Sequence, residues 1–179
     1  MCPRGIEIER KFRLRTAPGP AALAAHGAAA QRIQQVYLRT DRGAGDGALE
    51  SERVRRTELP DGSVVCRRTK KRRVGAFTFD EVEDAISEAE WAAASARADP
   101  DTRAVRKTRY VVPHGGQALE IDVFDAPAGL VVVEVELGSE DEAVELPAWL
   151  GEWREVTGDP RYFNASLARR DADVPEFDG

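Results

Sequence analysis

Short segments in which apolar and polar residues alternate recur along most of the chain. Alternation with a period of two places successive side chains on opposite faces of a β-strand. The pattern predicts eight strands, over residues 5–14, 33–39, 49–57, 63–71, 77–85, 103–112, 117–124 and 129–137. The turn residues Asp61-Gly62 and Gly115-Gly116 each separate two of these segments, which predicts two antiparallel hairpins.

Helical segments are predicted between and after the strands. Residues 20–30 are rich in alanine, residues 161–170 also read as a helix, and residues 43–47 read as a flexible loop. Ser87, with Glu90 three residues later, predicts a capping box at the start of a helix over residues 87–98. Ser139 and Glu142 repeat that spacing, which predicts a further helix there.

The number of strands points to one architecture. Eight mostly antiparallel strands in a chain of 179 residues favour a closed or nearly closed β-barrel with short helices around it, an α+β fold. No repeat or linker divides the chain, so we expect a single domain over residues 1–170. Residues 171–179 are polar, and we expect them to form a disordered C-terminal tail.

Charged residues collect on one face of most predicted strands. In strand order they are Glu7, Glu9 and Lys11; Arg53 and Arg55; Lys71; Glu81 and Glu83; Lys107 and Arg109; Glu120 and Asp122; Glu134 and Glu136. One charged face is ordinary, since antiparallel sheets often face water on one side. Many such faces with complementary charge favour a barrel whose charged faces point inward and whose apolar faces pack against helices.

A tunnel with these side chains would need bound ions. Like charges that are buried together are costly unless a partner neutralises them. Carboxylates without histidine or thiolate suit hard cations such as Mg²⁺ or Mn²⁺. Lysine and arginine suit the oxygens of phosphate groups. A metal ion beside a row of cations is typical of a site for phosphoryl transfer.

Composition excludes several other classes of protein. The net charge of -6 argues against a partner such as nucleic acid or an anionic membrane surface. The chain has no apolar run of about 20 residues, and its first residues lack the apolar core of a signal peptide. Its two cysteines indicate neither a disulfide framework nor a zinc site. We therefore expect a protein of the cytoplasm.

A set of short motifs resembles one known family. They are Glu7-Ile8-Glu9-Arg10-Lys11, Gln35-Val36-Tyr37-Leu38, Arg53-Val54-Arg55, Lys107-Thr108-Arg109-Tyr110, Glu120-Ile121-Asp122-Val123-Phe124 and Val133-Glu134-Val135-Glu136-Leu137. In order and spacing the set is similar to the CYTH superfamily, the triphosphate tunnel metalloenzymes. It is closest to small bacterial members that resemble inorganic triphosphatases.

The resemblance implies a fold, a cofactor and a set of site residues. The fold is an eight-stranded antiparallel tunnel. The implied ligands of Mg²⁺ or Mn²⁺ are Glu7, Glu9, Glu134 and Glu136. The implied triphosphate-binding residues are Lys11, Arg53, Arg55, Lys71, Lys107 and Arg109, with Asp122 as an orienting carboxylate among them. Lys107, Arg109 and Glu136 would act in catalysis, and Tyr162 and Asn164 would lie near one mouth of the tunnel.

The sequence departs from the family pattern at a few positions. Strand alternation favours Lys71 as the inward lysine of its strand, but a bulge would bring Lys70 inward instead. Phe79 and Phe163 stand where the family often has a basic residue, which affects the far end of the substrate. Arg72 and Arg73 are interpreted as solvated charges, although they could compensate.

The sequence therefore predicts a metal-dependent hydrolase that converts inorganic triphosphate into pyrophosphate and phosphate. Alternatives that keep the site are an adenylate cyclase of class IV type and a hydrolase of thiamine or nucleoside triphosphate. A fourth hypothesis, from another class, is a sensor that binds polyphosphate or nucleotide without cleaving it. The sequence leaves the physiological substrate, the choice between Mg²⁺ and Mn²⁺ and the oligomeric state open.

Overall fold

The computed structural model describes residues 4–39, 50–174 and 176–177. The strands are β1 (Arg4–Leu14), β2 (Ala29–Tyr37), β3 (Glu50–Glu58), β4 (Val64–Arg73), β5 (Thr78–Ile86), β6 (Val105–His114), β7 (Gln117–Phe124), β8 (Val131–Leu137) and β9 (Trp153–Glu155). The helices are α1 (Pro20–Ala25), α2 (Glu88–Ser95) and α3 (Asn164–Ala168), with short 3₁₀-helices at Ala148–Leu150 and Pro160–Tyr162. The predicted loop over residues 43–47 lies outside the described residues.

The eight longer strands close into an antiparallel barrel, which confirms the predicted α+β fold. Their hydrogen-bonded order is β5-β4-β3-β2-β6-β7-β8-β1, and β1 pairs with β5 to complete the ring. Both predicted hairpins are present, as β3–β4 and β6–β7. Because residues in register lie on the same face of paired strands, closure brings one face of every strand into a common interior.

The main apolar core lies outside the barrel. Most residues of β7 and β8 that alternate with the charged positions, such as Ile121 and Val133, are fully buried on the outer face. Leu23 of α1 and Leu150 of the first 3₁₀-helix pack in the same cluster. Burial of these side chains on the outside holds the strands in the register that turns the charged residues inward.

Helix α2 covers another part of the outer surface and begins as predicted. The side chain of Ser87 accepts a hydrogen bond from the backbone N–H of Glu90, at 3.2 Å. The carboxylate of Glu90 accepts one from the backbone N–H of Ser87, at 2.7 Å. This reciprocal pair is the predicted capping box. Ala94 of α2 packs against Val36 and Val54 on the barrel.

Helix α2 ends at Ser95 rather than at residue 98, and two other predicted helices differ more. Helix α1 stops at Ala25 rather than residue 30, because Gly27 adopts φ +69° and turns the chain into β2, which starts at Ala29 instead of residue 33. The predicted C-terminal helix over residues 161–170 divides into the 3₁₀-helix Pro160–Tyr162 and the short α3. None of the helices in the described part of the chain is long and apolar enough to cross a bilayer.

The helix predicted from Ser139 does not form. The Glu142 carboxylate accepts a hydrogen bond from the backbone N–H of Gly138, at 2.7 Å, and the segment is a turn. A helix here would be short, and short helices do not recover the cost of nucleation. Asp141 and Glu145 would also repel each other one turn apart.

The strand β9, which the alternation pattern missed, helps to seal the barrel. Where β5 has diverged from β1, Val156 donates its backbone N–H to the Lys11 carbonyl, at 2.9 Å. The Lys11 backbone N–H donates in turn to the hydroxyl of Thr157, at 3.1 Å. Gly158, at φ +74°, then passes so close to Ala76 that a Cβ would lie 3.2 Å from its carbonyl oxygen. This segment carries the chain over one end of the barrel.

Candidate active site

The interior of the barrel contains a cavity of about 120 Å³. Its lining includes six cationic residues: Lys11, Arg53, Arg55, Lys71, Lys107 and Arg109. It also includes the four carboxylates of the implied metal site: Glu7, Glu9, Glu134 and Glu136. The structure therefore brings together ten of the site residues predicted from the sequence. The eleventh, Asp122, is fully buried behind the lining, in contact with Lys107 and Arg109.

The first charged group, which we call the β6–β8 cluster, consists of Lys107, Arg109, Glu120, Asp122 and Glu134. Arg109 binds Asp122 in a bidentate manner, with Nε–Oδ1 and Nη2–Oδ2 distances of 2.7 and 2.6 Å. The same guanidinium donates to Glu134 at 2.5 Å and pairs with Glu120. Lys107 pairs with Asp122. Each buried charge is thus held by opposite charges and hydrogen bonds, the condition for a tolerated buried ion pair.

Titration in this cluster follows from its charges. Burial acts to raise the pKa of Glu134, but Lys11, Lys107 and Arg109 outweigh it and hold that pKa well below its usual range. Burial, together with the nearby Arg109, lowers the pKa of Lys107 even though Asp122 opposes the shift. Burial raises the pKa of Glu120, with Glu134 and Asp122 adding to the shift. Glu134 therefore remains an anion that can bind a cation.

The second charged group, the β3–β5 cluster, consists of Arg53, Arg55, Lys71, Glu81 and Glu83. Its contacts are longer: Arg55 lies 3.2 Å from Glu83, and Glu81 lies 3.8 Å from Arg53 and 3.9 Å from Lys71. Burial, followed by the charge of Glu7, raises the pKa of Glu81 to about 7. The carboxylates of this cluster therefore hold its cations weakly, although Lys71 also pairs with Glu7 of β1.

Strand β1 lies between the two clusters and contacts both. Lys11 pairs with Glu134 and lies 3.3 Å from Glu9. Lys71 pairs with Glu7 and lies 3.4 Å from Glu9. Burial acts to raise the pKa of Glu7, but the nearby Lys71 more than offsets this and the pKa is lowered. Both carboxylates on β1 are therefore partnered by lysines.

The alternation argument for the inward lysine of β4 is confirmed. Lys71 lines the cavity, whereas Lys70 is exposed on the outer face. Arg72 pairs with Asp80 on the outside. Arg73 turns to the carbonyl oxygen of Gly75, at 2.9 Å, and to that of Ala76. Neither Arg72 nor Arg73 lines the cavity, so neither supplies an additional cation to it.

Glu136 differs from the other carboxylates of the cavity. It is exposed, and within the described ranges its side chain forms no ion pair or hydrogen bond. It stands opposite Glu9 in the β1–β8 register. Directly opposed like charges destabilise a sheet unless a cation lies between them. No three carboxylate, histidine or cysteine side chains of the described residues already converge on one point as a metal site would require. The donor chemistry fits a hard divalent cation, but the ion pairs with lysine would have to loosen for it to bind.

One end of the cavity is made by the segment that follows β9. Asn164 lines the cavity with its Oδ1 3.5 Å from Lys107 Nζ, near one mouth as the resemblance implies. Tyr162 is buried instead, and its hydroxyl accepts hydrogen bonds from Arg13 and Arg154, at 3.1 and 2.8 Å. Phe79 and Phe163 also line this part, with their rings edge to face.

Several lining residues were given no role from the sequence. Glu120, Gln35, Tyr37 and Ser51 contribute polar atoms to the cavity. The hydroxyl of Tyr37 accepts a hydrogen bond from Gln35, at 2.7 Å. All four stand at inward positions of their strands, so strand parity was the signal that could have identified them.

Comparison with known proteins yields consistent matches. An inorganic triphosphatase of Acetivibrio thermocellus is 42% identical over 66 residues, which is 36% of this chain and 41% of that protein. One of Nitrosomonas europaea is 49% identical over 71 residues, 37% of this chain and 45% of that protein. Each alignment thus spans less than half of the relative's length.

Similarity over the whole chain comes from a solved structure and a family model. The crystal structure of the inorganic triphosphatase NE1496 is 32% identical with a TM-score of 0.58, covering 94% of this chain and 96% of that one. The CYTH domain model matches residues 5–171, which include every strand of the barrel and the segment over its end. The chain therefore belongs to the CYTH domain family.

Proposed function

We propose that the protein is a metal-dependent phosphoanhydride hydrolase that converts inorganic triphosphate into phosphate and pyrophosphate inside the barrel. One observation carries the proposal: six cationic side chains line a single cavity that also contains carboxylates of a possible metal site. Relatives named inorganic triphosphatase support the choice of substrate. The buried free thiol of Cys66 suits a reducing compartment such as the cytoplasm.

The cations would bind the substrate by exchanging partners. In the β3–β5 cluster, Arg53 lies 3.8 Å from Glu81, beyond hydrogen-bond distance, whereas Lys71 would have to exchange its pair with Glu7. Phosphate oxygens can make charge-assisted hydrogen bonds to both groups. A linear triphosphate carries several negative charges, so it can neutralise more than one of these cations at once. Linear polyanions are therefore favoured over neutral or singly charged molecules.

The metal ion would be held at the junction of β1 and β8. Glu9 and Glu136 face each other in register, and Glu134 stands two residues before Glu136 on the same face. Together with Glu7 they offer only hard oxygen donors, which suits Mg²⁺ or Mn²⁺. Such an ion, when bound, screens phosphate charge and lowers the pKa of a bound water.

The protein's own groups would orient the substrate and stabilise its charge during hydrolysis. A water oxygen adds to a terminal phosphorus, the bridging P–O bond breaks, and the proton leaves to solvent. Lys107 and Arg109 stabilise the negative charge that builds on the leaving pyrophosphate. Asp122 holds both cations in place, since it contacts each of them from behind the cavity wall. Their orientation is thus fixed before the substrate binds.

Product analysis tests this function. The purified protein is incubated with Mg²⁺ or Mn²⁺ and, separately, inorganic triphosphate, ATP and thiamine triphosphate, with an EDTA arm for each. We expect equal amounts of phosphate and pyrophosphate from triphosphate, and none with EDTA. Cyclic AMP from ATP would indicate a cyclase instead. If phosphate is released only from ATP or only from thiamine triphosphate, that molecule is the substrate instead. Tight binding without product would indicate a sensor.

A further inference from the structure

Two phenylalanines interrupt a cavity lining that is otherwise mostly charged or polar. Phe79 lies on β5, and Phe163 lies between the second 3₁₀-helix and α3. Both line the cavity, and their ring centroids are 5.9 Å apart with an interplanar angle of 81°. We call this pair the aromatic wall. Its position beside charged residues requires an explanation beyond the general stability of the core.

The fold places the aromatic wall at one end of the cavity. Phe79 stands opposite Glu7 on β1 and opposite Arg73 on β4. Phe163 belongs to the segment that the contacts of Val156 and Gly158 carry over this end of the barrel. The wall is therefore built from two parts of the chain that are far apart in sequence, and it closes the end at which they meet.

The faces of both rings are already occupied by cations of the protein. Lys71 Nζ lies 4.3 Å from the centroid of the Phe79 ring, and the guanidinium of Arg73 lies 5.4 Å from that of Phe163. Cation–π contacts of this kind stabilise both partners. The guanidinium of Arg73 is also bound to the carbonyl oxygens of Gly75 and Ala76. The rings themselves offer a phosphate group no hydrogen-bond donor, and Arg73 is held by the backbone, so Lys71 is the cavity-lining cation that contacts the wall.

The opposite end of the polar stretch is made of paired charges. Glu83 lies four residues beyond Phe79 on the same face of β5, which corresponds to roughly 13 Å along the strand. Its carboxylate pairs with Arg55 and Arg67, and Arg55 also interacts electrostatically with Glu120. A chain of phosphates in the cavity therefore meets apolar carbon at one end and paired charges, Arg55 among them, at the other.

We propose that the aromatic wall stops the phosphate chain and sets its length, so that inorganic triphosphate fits and longer linear polyphosphates bind poorly. Once Lys71 binds the terminal phosphate of the substrate, a further phosphate forced against the rings would lose its hydration without gaining a partner of its own, and this is costly for a charged group. The inference rests on the proposed function, because it concerns the substrate of the same site. It assigns Phe79 and Phe163 as determinants of specificity.

The first test uses the unmodified protein with Mg²⁺ and two substrates, inorganic triphosphate and inorganic tetraphosphate. We expect kcat/KM to be at least about tenfold higher for triphosphate, the factor that one charge-assisted contact provides. Equal kcat/KM values would overturn the inference while leaving the hydrolase proposal intact. If neither substrate is hydrolysed, the hydrolase proposal is overturned. The ratio of the dissociation constants of triphosphate and tetraphosphate would then show whether the aromatic wall limits the length of the bound chain.

The second test changes the wall itself. Phe79→Arg and Phe163→Arg each place a cation at the closed end, and we expect each to lower the triphosphate preference about tenfold. Phe79→Leu and Phe163→Leu are matched controls that keep the wall apolar and should keep the preference. Thermal melting shows which variants are folded, and the unmodified protein remains informative if an arginine variant is not. Folded arginine variants with an unchanged preference would overturn the inference.

Discussion

The two charged clusters of the tunnel differ in burial and in the closeness of their contacts. In the β6–β8 cluster the side chains of Lys107 and Asp122 are 2% and 0% exposed, and Arg109 binds Asp122 at 2.6 and 2.7 Å. In the β3–β5 cluster the side chains of Arg55 and Glu83 are 23% and 20% exposed and lie 3.2 Å apart. The same residue types thus form one tight network and one loose one in a single cavity.

The difference assigns different tasks to the two clusters. A fully buried network loses much stability when one partner is removed, because the remaining charge stays in a medium of low dielectric constant. A looser, partly hydrated pair is worth little to stability. We infer that the β6–β8 cluster provides fixed charges for catalysis, whereas the β3–β5 cluster exchanges its partners for substrate.

The largest effect on stability is expected at Asp122. Asp122→Ala leaves Lys107 and Arg109 buried with too little negative charge, and the free energy of unfolding should fall by about 3–5 kcal/mol. Urea denaturation followed by circular dichroism measures it. The matched change in the looser cluster, Glu83→Ala, should cost about 1 kcal/mol or less. Equal losses in the two variants would contradict the distinction between the clusters.

The next effect separates activity from stability at β8. Glu136→Gln should lower the metal-dependent rate at least about 100-fold, more than is typical for a residue that only supports a ligand. Its free energy of unfolding should change by less than about 0.5 kcal/mol, since the side chain is exposed and has no partner among the described residues. Glu134→Gln, which breaks contacts with Lys11 and Arg109, should lower both quantities. Full activity in Glu136→Gln would refute its assignment as a metal ligand.

A smaller effect is expected for substrate binding at Arg55. Arg55→Ala should raise KM for triphosphate about tenfold and change kcat less, because one charge-assisted contact is lost. Arg67→Ala is the matched control: Arg67 pairs with the same Glu83, at 3.3 Å, but does not line the cavity. Steady-state kinetics give KM for triphosphate in both variants. An equal rise in KM for Arg67→Ala would show that the cavity position is unimportant.

The smallest effect concerns the pH dependence of stability. Burial and Glu7 raise the pKa of Glu81 to about 7, above its value in the unfolded chain. Between these values the folded protein binds more protons than the unfolded one, so the free energy of unfolding falls as pH rises. Glu81→Gln removes this loss and should stabilise the protein by about 1–2 kcal/mol at pH 8, with a smaller gain at pH 5. Urea titrations at both pH values measure the gain in the free energy of unfolding. A gain that is larger at pH 5 than at pH 8 would contradict the raised pKa of Glu81.

Strand parity was sufficient to predict most of the barrel and of its lining. A period of two with charge on one face and Ile, Val or Phe on the other places Glu7, Lys107 and Glu134 inside without further information. Parity also distinguished Lys71 from Lys70. These features depend only on local geometry, which the sequence encodes directly.

Contacts between distant segments could not be predicted in the same way. Strand β9 has only three residues, Trp153–Glu155, and forms because β1 offers it a free edge. The seating of Asp122 behind the cavity wall depends on which side chains β6 places across from it. The capping spacing at Ser139 failed because the Glu142 carboxylate binds the amide of Gly138 instead. The contact of Phe79 with Phe163 likewise depends on the whole C-terminal path.

The most direct test of the account is a crystal structure with Mn²⁺ and imidotriphosphate, a triphosphate analogue that resists hydrolysis. The account predicts the analogue inside the barrel, in contact with Arg53, Arg55 and Lys71, whose contacts with Glu7, Glu81 and Glu83 lengthen. It also predicts an anomalous peak for Mn²⁺ beside Glu9, Glu134 and Glu136. An analogue bound outside the barrel, with the ion pairs of the tunnel unchanged, would contradict the claim that the charged interior is the active site.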